Sequence, residues 1–367
     1  MNKMIVANLV HRPMRSVISV VAIAVEVTLI LIIVGLCLGM LNDAAERTRG
    51  VGADVMVQPP GASQLAGFNG APMSLKIGDI IRKQPHVTAV APVVWQANTA
   101  GTIEVIYGID LDSFQAMGGP FRYLEGGPFT GPDQVLIDDY IASQKNFHVG
   151  DTTRILNHDV KIVGIVEHGK GARKFLPMAT LQDWIGAQGK CSIFYVKTDS
   201  PNNTDAVINE IKSVPGLENY TMRSMQEYMS MMTSGNLPGL SIFISVVIAV
   251  SVIIGFIVIF QAMYTAVMER TREIGILKSL GASKLFIVNT ILRETVLIAV
   301  LGVILGIVIS YATRTGLHMK FPLLAINIYP KWLIYATIIA VVGALLGALY
   351  PAYKAARKDP IDALAYE

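Results

Sequence analysis

Glu26 stands inside an otherwise apolar run and is the acid in this chain whose position most needs a chemical reason. About nine residues into a helical span, it would lie roughly 14 Å deep at about 1.5 Å per residue. A carboxylate at such depth costs ~2.5–3.5 kcal/mol unless it is protonated or paired. It therefore either lines a dimer seam or substrate path, or is a neutral acid hydrogen-bonded to a neighbouring helix. Met222, Met225, Met229 and Met232 follow at spacings of three, four and three, with Met231 adjacent. They read as one helical face of soft thioethers ahead of the next apolar run, fitted either to domain packing or to a hydrophobic cargo leaving the membrane. Phe256, Phe260 and Tyr264 form a four-spaced aromatic stripe on that run, for helix packing or for contact with a haem or drug. Arg293 and Glu294 read as an interfacial pair snorkelling toward headgroups, or as a relay of motion from the preceding loop.

Covalent chemistry is not encoded. No G-x-x-x-x-G-K-[ST] phosphate loop and no G-x-S-x-G elbow occurs. The six histidines are scattered, and no His/Cys/carboxylate cluster has metal-site spacing. These absences predict a non-catalytic chain with no metal or cofactor of its own. Cys37 lies in an apolar run and Cys191 in a polar segment, so no intrachain disulfide is expected. A net charge of +3 without a basic block gives no footing for nucleic acid.

The elements that must position these residues belong to a membrane. The chain is 52% hydrophobic and 16% charged, with mean hydropathy +0.50, against about 25% charged in a soluble domain. The apolar runs predict spans over 17–41, 240–267, 285–312 and 332–350, each near the ~20 residues that cross a bilayer. The first is too long for a signal-peptide core and reads as a retained anchor. Between the first two spans, residues 42–239 are polar and long enough for a core of their own. Lys3, Arg12 and Arg15 precede the first span; Arg270, Arg272, Lys278 and Lys284 lie between the second and third; Lys354, Arg357 and Lys358 follow the fourth. The positive-inside rule then puts both termini and the 268–284 loop in the cytoplasm and residues 42–239 outside. Arg314, Lys320 and Lys331, around the 313–331 connection, oppose this assignment.

Residues 1–16 read as an amphipathic helix on the inner membrane face, with Pro13 at a bend, and 351–367 as a cytoplasmic tail. The outer domain is mixed α+β. "ADVMVQ", "QVLIDD", "VKIVGIVE", "SIFYVKT" and "NYTMRS" have strand character, and "NTDAVINEIKSVPG" is a helix with Val207, Ile208 and Ile211 on one face. Two small lobes are expected, one assembled from the domain's two ends and one inserted between them.

The loop "MERTREIGILKSLGAS", Met268–Ser283, has a pattern of its own. It reads as a helix from Glu269, with Ile274, Leu277 and Leu280 along one apolar edge and Ile276 beside it. Glu269 can pair with Arg272, and Gly281 is placed to stop the helix. A charged amphipathic helix tied at both ends to membrane spans is a lever.

This stretch resembles the cytoplasmic signature of the FtsX/MacB superfamily of ABC transporter permeases. "NLVHRPMRSVISVVAIAVEV", the outer segment "GPDQVLIDDYIASQKNFHVGDTTRILNHDVKIVGIV" with "FLPMATLQDW", and the tail "YPAYKAARKDPIDALAYE" are similar to other parts of the family in the same order. The resemblance implies four spans with a MacB-like periplasmic core domain between the first and second. It implies a dimer with a second permease copy or homologue in a bacterial inner membrane, served by a separate cytoplasmic ATPase that carries the ATP and Mg. A periplasmic adaptor is compatible with it. Glu269, Arg270, Arg272, Glu273, Ile274, Leu277, Leu280 and Gly281 would dock that ATPase, and its closure would move the outer domain for efflux or extraction of a hydrophobic or amphipathic substrate. Haem efflux is an alternative within the family. A membrane sensor with an outer ligand-binding domain is the alternative outside it.

Overall fold

The computed structural model describes residues 13–61, 72–98, 104–233, 235–236, 238–321 and 323–358. Most of the expected N-terminal amphipathic helix and the end of the tail lie outside these. Pro13, expected at a bend, is the first residue of a helix. The described chain divides into two compact units, a helical one and an inserted domain.

Among the described residues, four helices are long and apolar enough to cross a membrane. They run Pro13–Arg49, Pro238–Glu269, Lys284–Lys320 and Pro330–Arg357. Lipid offers no hydrophobic force between helices, so close approach of small residues must hold them. On the third helix a Cβ added at Gly302 would sit 2.6 Å from the Ile23 Cβ, and one at Gly306 2.8 Å from the Ala24 carbonyl oxygen. Thr28 donates to the Gly306 carbonyl at 3.1 Å across that contact. On the fourth helix Ala336, Ala340, Ala344, Ala348 and Ala352 are buried at every fourth position, and Gly347 lies against the Phe256 carbonyl. The outward surfaces, such as Ile242, Val246 and Val250 or Ile338, Val342 and Leu346, are exposed and apolar, as a lipid-facing surface requires.

The inserted domain takes in the end of the first helix from Met40, and Lys320–Ala325 from the third-to-fourth connection. Its strands are β1 Val55–Gln58, β2 Met73–Ser74, β3 Val87–Asn98, β4 Glu104–Ile109, β5 Tyr123–Gly126, β6 Gln134–Asp138, β7 Thr152–Ile155, β8 His158–Val166, β9 Lys174–Pro177, β10 Lys190–Cys191, β11 Ile193–Thr198 and β12 Thr221–Ser224. The expected two lobes are one sheet. Its order is β12-β1-β11-β3-β4-β9-β6-β8-β5, with β7 on β8 and a separate β2–β10 pair. Strands from the domain's two ends form one half, and the inserted strands form the other. The parallel pair β4–β9 joins them, with Ile106 opposite Lys174. Both joining strands are apolar and largely buried, so leaving either as a free edge would strand a row of backbone donors and acceptors.

Strand periodicity divides the core between the two faces. Val55, Val57, Phe194 and Val196 face one side, with Val207, Ile208 and Ile211 of the helix Thr204–Lys212. Met56, Ile193 and Tyr195 face the other, with Phe114 and Phe175. Among the described residues of this domain, two buried ion pairs lie at and beside the β4–β9 join. Lys174 pairs with Glu104, and Asp138 with Arg173 at 2.8 Å. Arg173 also reaches Asp43 at 2.9 Å, so the end of the first helix is fastened within this domain.

Candidate functional site

The second spanning helix ends at Glu269, the chain turns at Arg270, and a short helix follows over Thr271–Ser279. The turn falls between Glu269 and Arg272, which the sequence reading put on one helix. Leu280 caps this loop helix and Gly281 takes φ +92°, a left-handed conformation that costs glycine little. Ala282 N–H donates to the Leu277 carbonyl and Gly281 N–H to the Lys278 carbonyl, both at 3.0 Å, which closes a full Schellman motif. Ser283 then accepts from the Phe286 N–H at 3.2 Å and starts the third helix.

The loop helix has two faces. Thr271 and Gly275 are buried, and Ile274 and Leu277 are half-buried. Arg272, Glu273, Ile276 and Leu280 face outward, with Leu280 80% exposed. The expected single apolar edge is thus split, because helical geometry ends at Ser279 and Leu280 swings out beyond it. A cleft of about 60 Å³ lies between this helix and the adjoining ends of its neighbours, lined by Arg270, Glu273, Ile274, Leu277, Phe286 and Glu294 among others.

Two charged tethers hold the loop helix. Arg270 reaches the buried Glu294 on the third helix at 3.1 Å. Of the two residues read as snorkelling to the interface, Arg293 is exposed while Glu294 is buried and turned to Arg270, since adjacent residues on a helix point in different directions. Lys278 donates to the carbonyls of Ala356 at 3.1 Å and of Lys358, where the fourth helix ends. A lysine there satisfies orphan carbonyls and meets the negative end of the helix dipole. Sequence reasoning missed Lys278. Its signal was a cation in the last turn of a short helix, a common capping position, although the carbonyls it caps belong to a different helix.

Glu26 is 5% exposed, and its Oε1 has no hydrogen-bond partner among the described residues. Its carboxyl lies directly over Gly255 of the second helix. Gly255 was also missed, as nothing local marks it as the partner of a residue so far away in sequence. The four methionines do not form one helical face. Met222 belongs to β12, opposite Val57, and packs in one face of the sheet core. The helix begins at Met225, where Ser224 accepts from the Glu227 N–H at 3.0 Å. Met225, Met229 and Met232 pack against the other face, and the Met229 sulfur accepts from Arg49. The strand pairing of Thr221–Ser224 overrides the helical spacing. Phe256, Phe260 and Tyr264 stack along the second helix with centroids 6.3 and 6.1 Å apart, and Phe260 meets Tyr350 of the fourth helix at 5.9 Å. The cations that oppose the charge bias have local partners: Arg314 donates to the Ile326 carbonyl, Lys320 lies over Phe321 and Lys331 over Tyr335.

Residues 16–214 match the family model described as MacB-like periplasmic core domain, and residues 245–360 the one described as FtsX-like permease C-terminal. The chain is 26% identical to the macrolide export ATP-binding/permease protein MacB of Escherichia coli strain K12, over 96% of this chain and 58% of that protein. It matches the protein of the same name from Shigella flexneri to the same extent. The chain therefore spans about 58% of the length of these curated relatives. Among solved structures, the periplasmic region of MacB from Actinobacillus actinomycetemcomitans is 15% identical, with 50% of this chain and 94% of that one covered and a TM-score of 0.38.

Proposed function

Because this chain belongs to the FtsX/MacB-like family of ABC transporter permeases, we propose that it is the permease subunit of an exporter or mechanotransmission complex driven by a separate cytoplasmic ATPase. One observation carries this reading. The loop helix leaves Arg272, Glu273 and Ile276 exposed, with Leu280 exposed just past its end, while Arg270 and Lys278 fasten it to the third and fourth spanning helices. A partner that grips the outward face pulls on three spans at once. A solvent-facing leucine beside charged neighbours is the composition of an interface anchor with a polar rim.

In this reading the loop and both termini are cytoplasmic, the inserted domain lies outside a bacterial inner membrane, and two permease chains form the working unit. The cargo is hydrophobic or amphipathic. Of the residues read as its route, Glu26 is retained, since a buried acid oxygen with no partner among the described residues calls for a role beyond packing. Burial of Met222 and Met225 supports domain packing instead.

The test is Leu280→Asp. Leu280 is outside any core, so insertion and folding should be unchanged. An interface anchor is worth ~2–4 kcal/mol, so the ATPase that co-purifies with the unaltered protein should bind about 30- to 1,000-fold more weakly. Unchanged binding with unchanged coupling of hydrolysis to transport would remove this assignment. Failure of any ATPase to co-purify with the unaltered protein would favour the sensor.

A further inference from the structure

At the end of the fourth helix, Tyr350, Tyr353, Lys354 and Arg357 follow at spacings of three, one and three and share one helical face. The opposite face, with Pro351, Ala352, Ala355 and Ala356, is buried. Lys354 Nζ donates to the Tyr264 hydroxyl oxygen at 3.0 Å and lies 4.8 Å from that ring's centroid. The Arg357 guanidinium lies 4.7 Å from the Tyr353 ring. Among the described residues neither cation pairs with a carboxylate. The neighbouring cations are engaged, Arg270 with Glu294 and Lys278 with two carbonyls. The Tyr264 oxygen accepts from Lys354, so its own O–H remains available as a donor. Two cations and a phenol therefore meet where a spanning helix ends, with no carboxylate partner among the described residues.

An apolar track continues from this cluster along the same two helices. Phe256 and Phe260 stack in line with Tyr264, and Phe260 meets Tyr350. Leu346, Leu349 and Tyr350 are each at least half exposed beside them. A phosphate at the cluster with a hydrocarbon chain on the track satisfies both ends. Free phosphate would leave the track uncovered, and apolar protein would leave the cations unmatched.

We infer that the end of the groove between the second and fourth spanning helices is a binding site for an anionic phospholipid, its headgroup held by Lys354, Arg357 and the Tyr264 hydroxyl and its acyl chain lying on Phe256, Phe260 and Leu346. Basic pockets between spanning helices are suited to such headgroups, and each cation near an anionic surface contributes about 1 kcal/mol. Phosphate is also a strong acceptor for charge-assisted hydrogen bonds from Arg and Lys. The tyrosines hold both cations at the interface before any lipid arrives.

The full chain is reconstituted in nanodiscs of mixed phosphatidylglycerol and phosphatidylcholine, released gently, and its retained lipid counted by native mass spectrometry. The unaltered protein should retain phosphatidylglycerol in preference to phosphatidylcholine. The K354Q/R357Q double variant should lose about 30-fold of that preference, or about 2 kcal/mol. Tyr264→Phe should lose a smaller part, and Lys331→Gln, which alters a lone cation over Tyr335 at the other end of the fourth helix, should lose none. Equal melting of all variants in phosphatidylcholine alone checks folding. An unchanged phosphatidylglycerol preference in the double variant overturns the site. So does displacement of the lipid by inorganic phosphate at matched concentration, which would make free phosphate the ligand. Disulfide formation between two copies at Tyr350→Cys with exclusion of phosphatidylglycerol would replace the lipid by a second copy and overturn it too.

Discussion

Gly255→Ala tests the contact between Glu26 and the second spanning helix directly. A methyl group there would lie 1.9 Å from Glu26 Oε2, 2.6 Å from Cδ and 3.2 Å from Oε1. Ordinary contact begins at 3.4 Å, so the nearest oxygen is short by about 1.5 Å. Because all three carboxyl atoms are crowded, rotating the carboxyl cannot relieve the contact, and the whole side chain must move. Little free space surrounds it, since Glu26 is only 5% exposed. Overpacking of this kind costs ~1–3 kcal/mol. In a Glu26→Ala background the obstacle is gone, and Gly255→Ala should then cost less than ~0.5 kcal/mol, a coupling of at least ~0.5 kcal/mol between the sites. In a Glu26→Gln background the side chain keeps its size, and the full cost should return. Reversible unfolding in mixed micelles titrated with a denaturing detergent measures each stability. If Gly255→Ala costs the same in all three backgrounds, the carboxyl–glycine contact is not what determines it.

Cys191 is 1% exposed, and burial pushes its thiol up to about 12, so a membrane-impermeant maleimide should leave it unmodified in the folded protein. Labelling of Ser213→Cys but not Ser279→Cys on sealed cells, both positions being exposed, would agree with an outer domain and an inner loop, whereas labelling of position 279 in sealed cells would reverse the orientation. The hydrogen bond and charge of Asp199 raise the His86 pKa above 6.5, and the bond from His86 lowers that of Asp199 below 3.8. The histidine's contribution is complete below pH 6.5 and lost as pH rises through its raised pKa, while the aspartate's is present above pH 3.8 and lost as pH falls through its lowered one. Stability of the inserted domain in the full chain, read by thermal melting, should therefore fall as pH rises above 6.5, and His86→Asn should flatten that part of the profile; an unchanged profile would exclude this pair as its source.

The spans, the inserted α+β domain and the loop helix with Gly281 at its end were legible because each is written locally. Hydropathy over about 20 residues marks a span, alternation marks β1 or β11, and a glycine after a charged amphipathic segment marks a helix stop. What local patterns cannot carry is rotation and register. Nothing near Glu294 in sequence says that it faces Arg270 across a helix pair while Arg293 does not. The Met222 spacing suits a helix as well as a strand, and only pairing with Val55–Gln58 decided between them, sending Met222 to one side of the sheet and Met225 to the other. The two half-sheets became one because β4 and β9, 70 residues apart at Glu104 and Lys174, each needed a partner edge. Glu26 drew attention from its own sequence context, but Gly255 became its partner only where the helices cross. Crossing points are set by small residues such as Gly302, Gly306 and Gly347, through backbone contacts that no single segment contains.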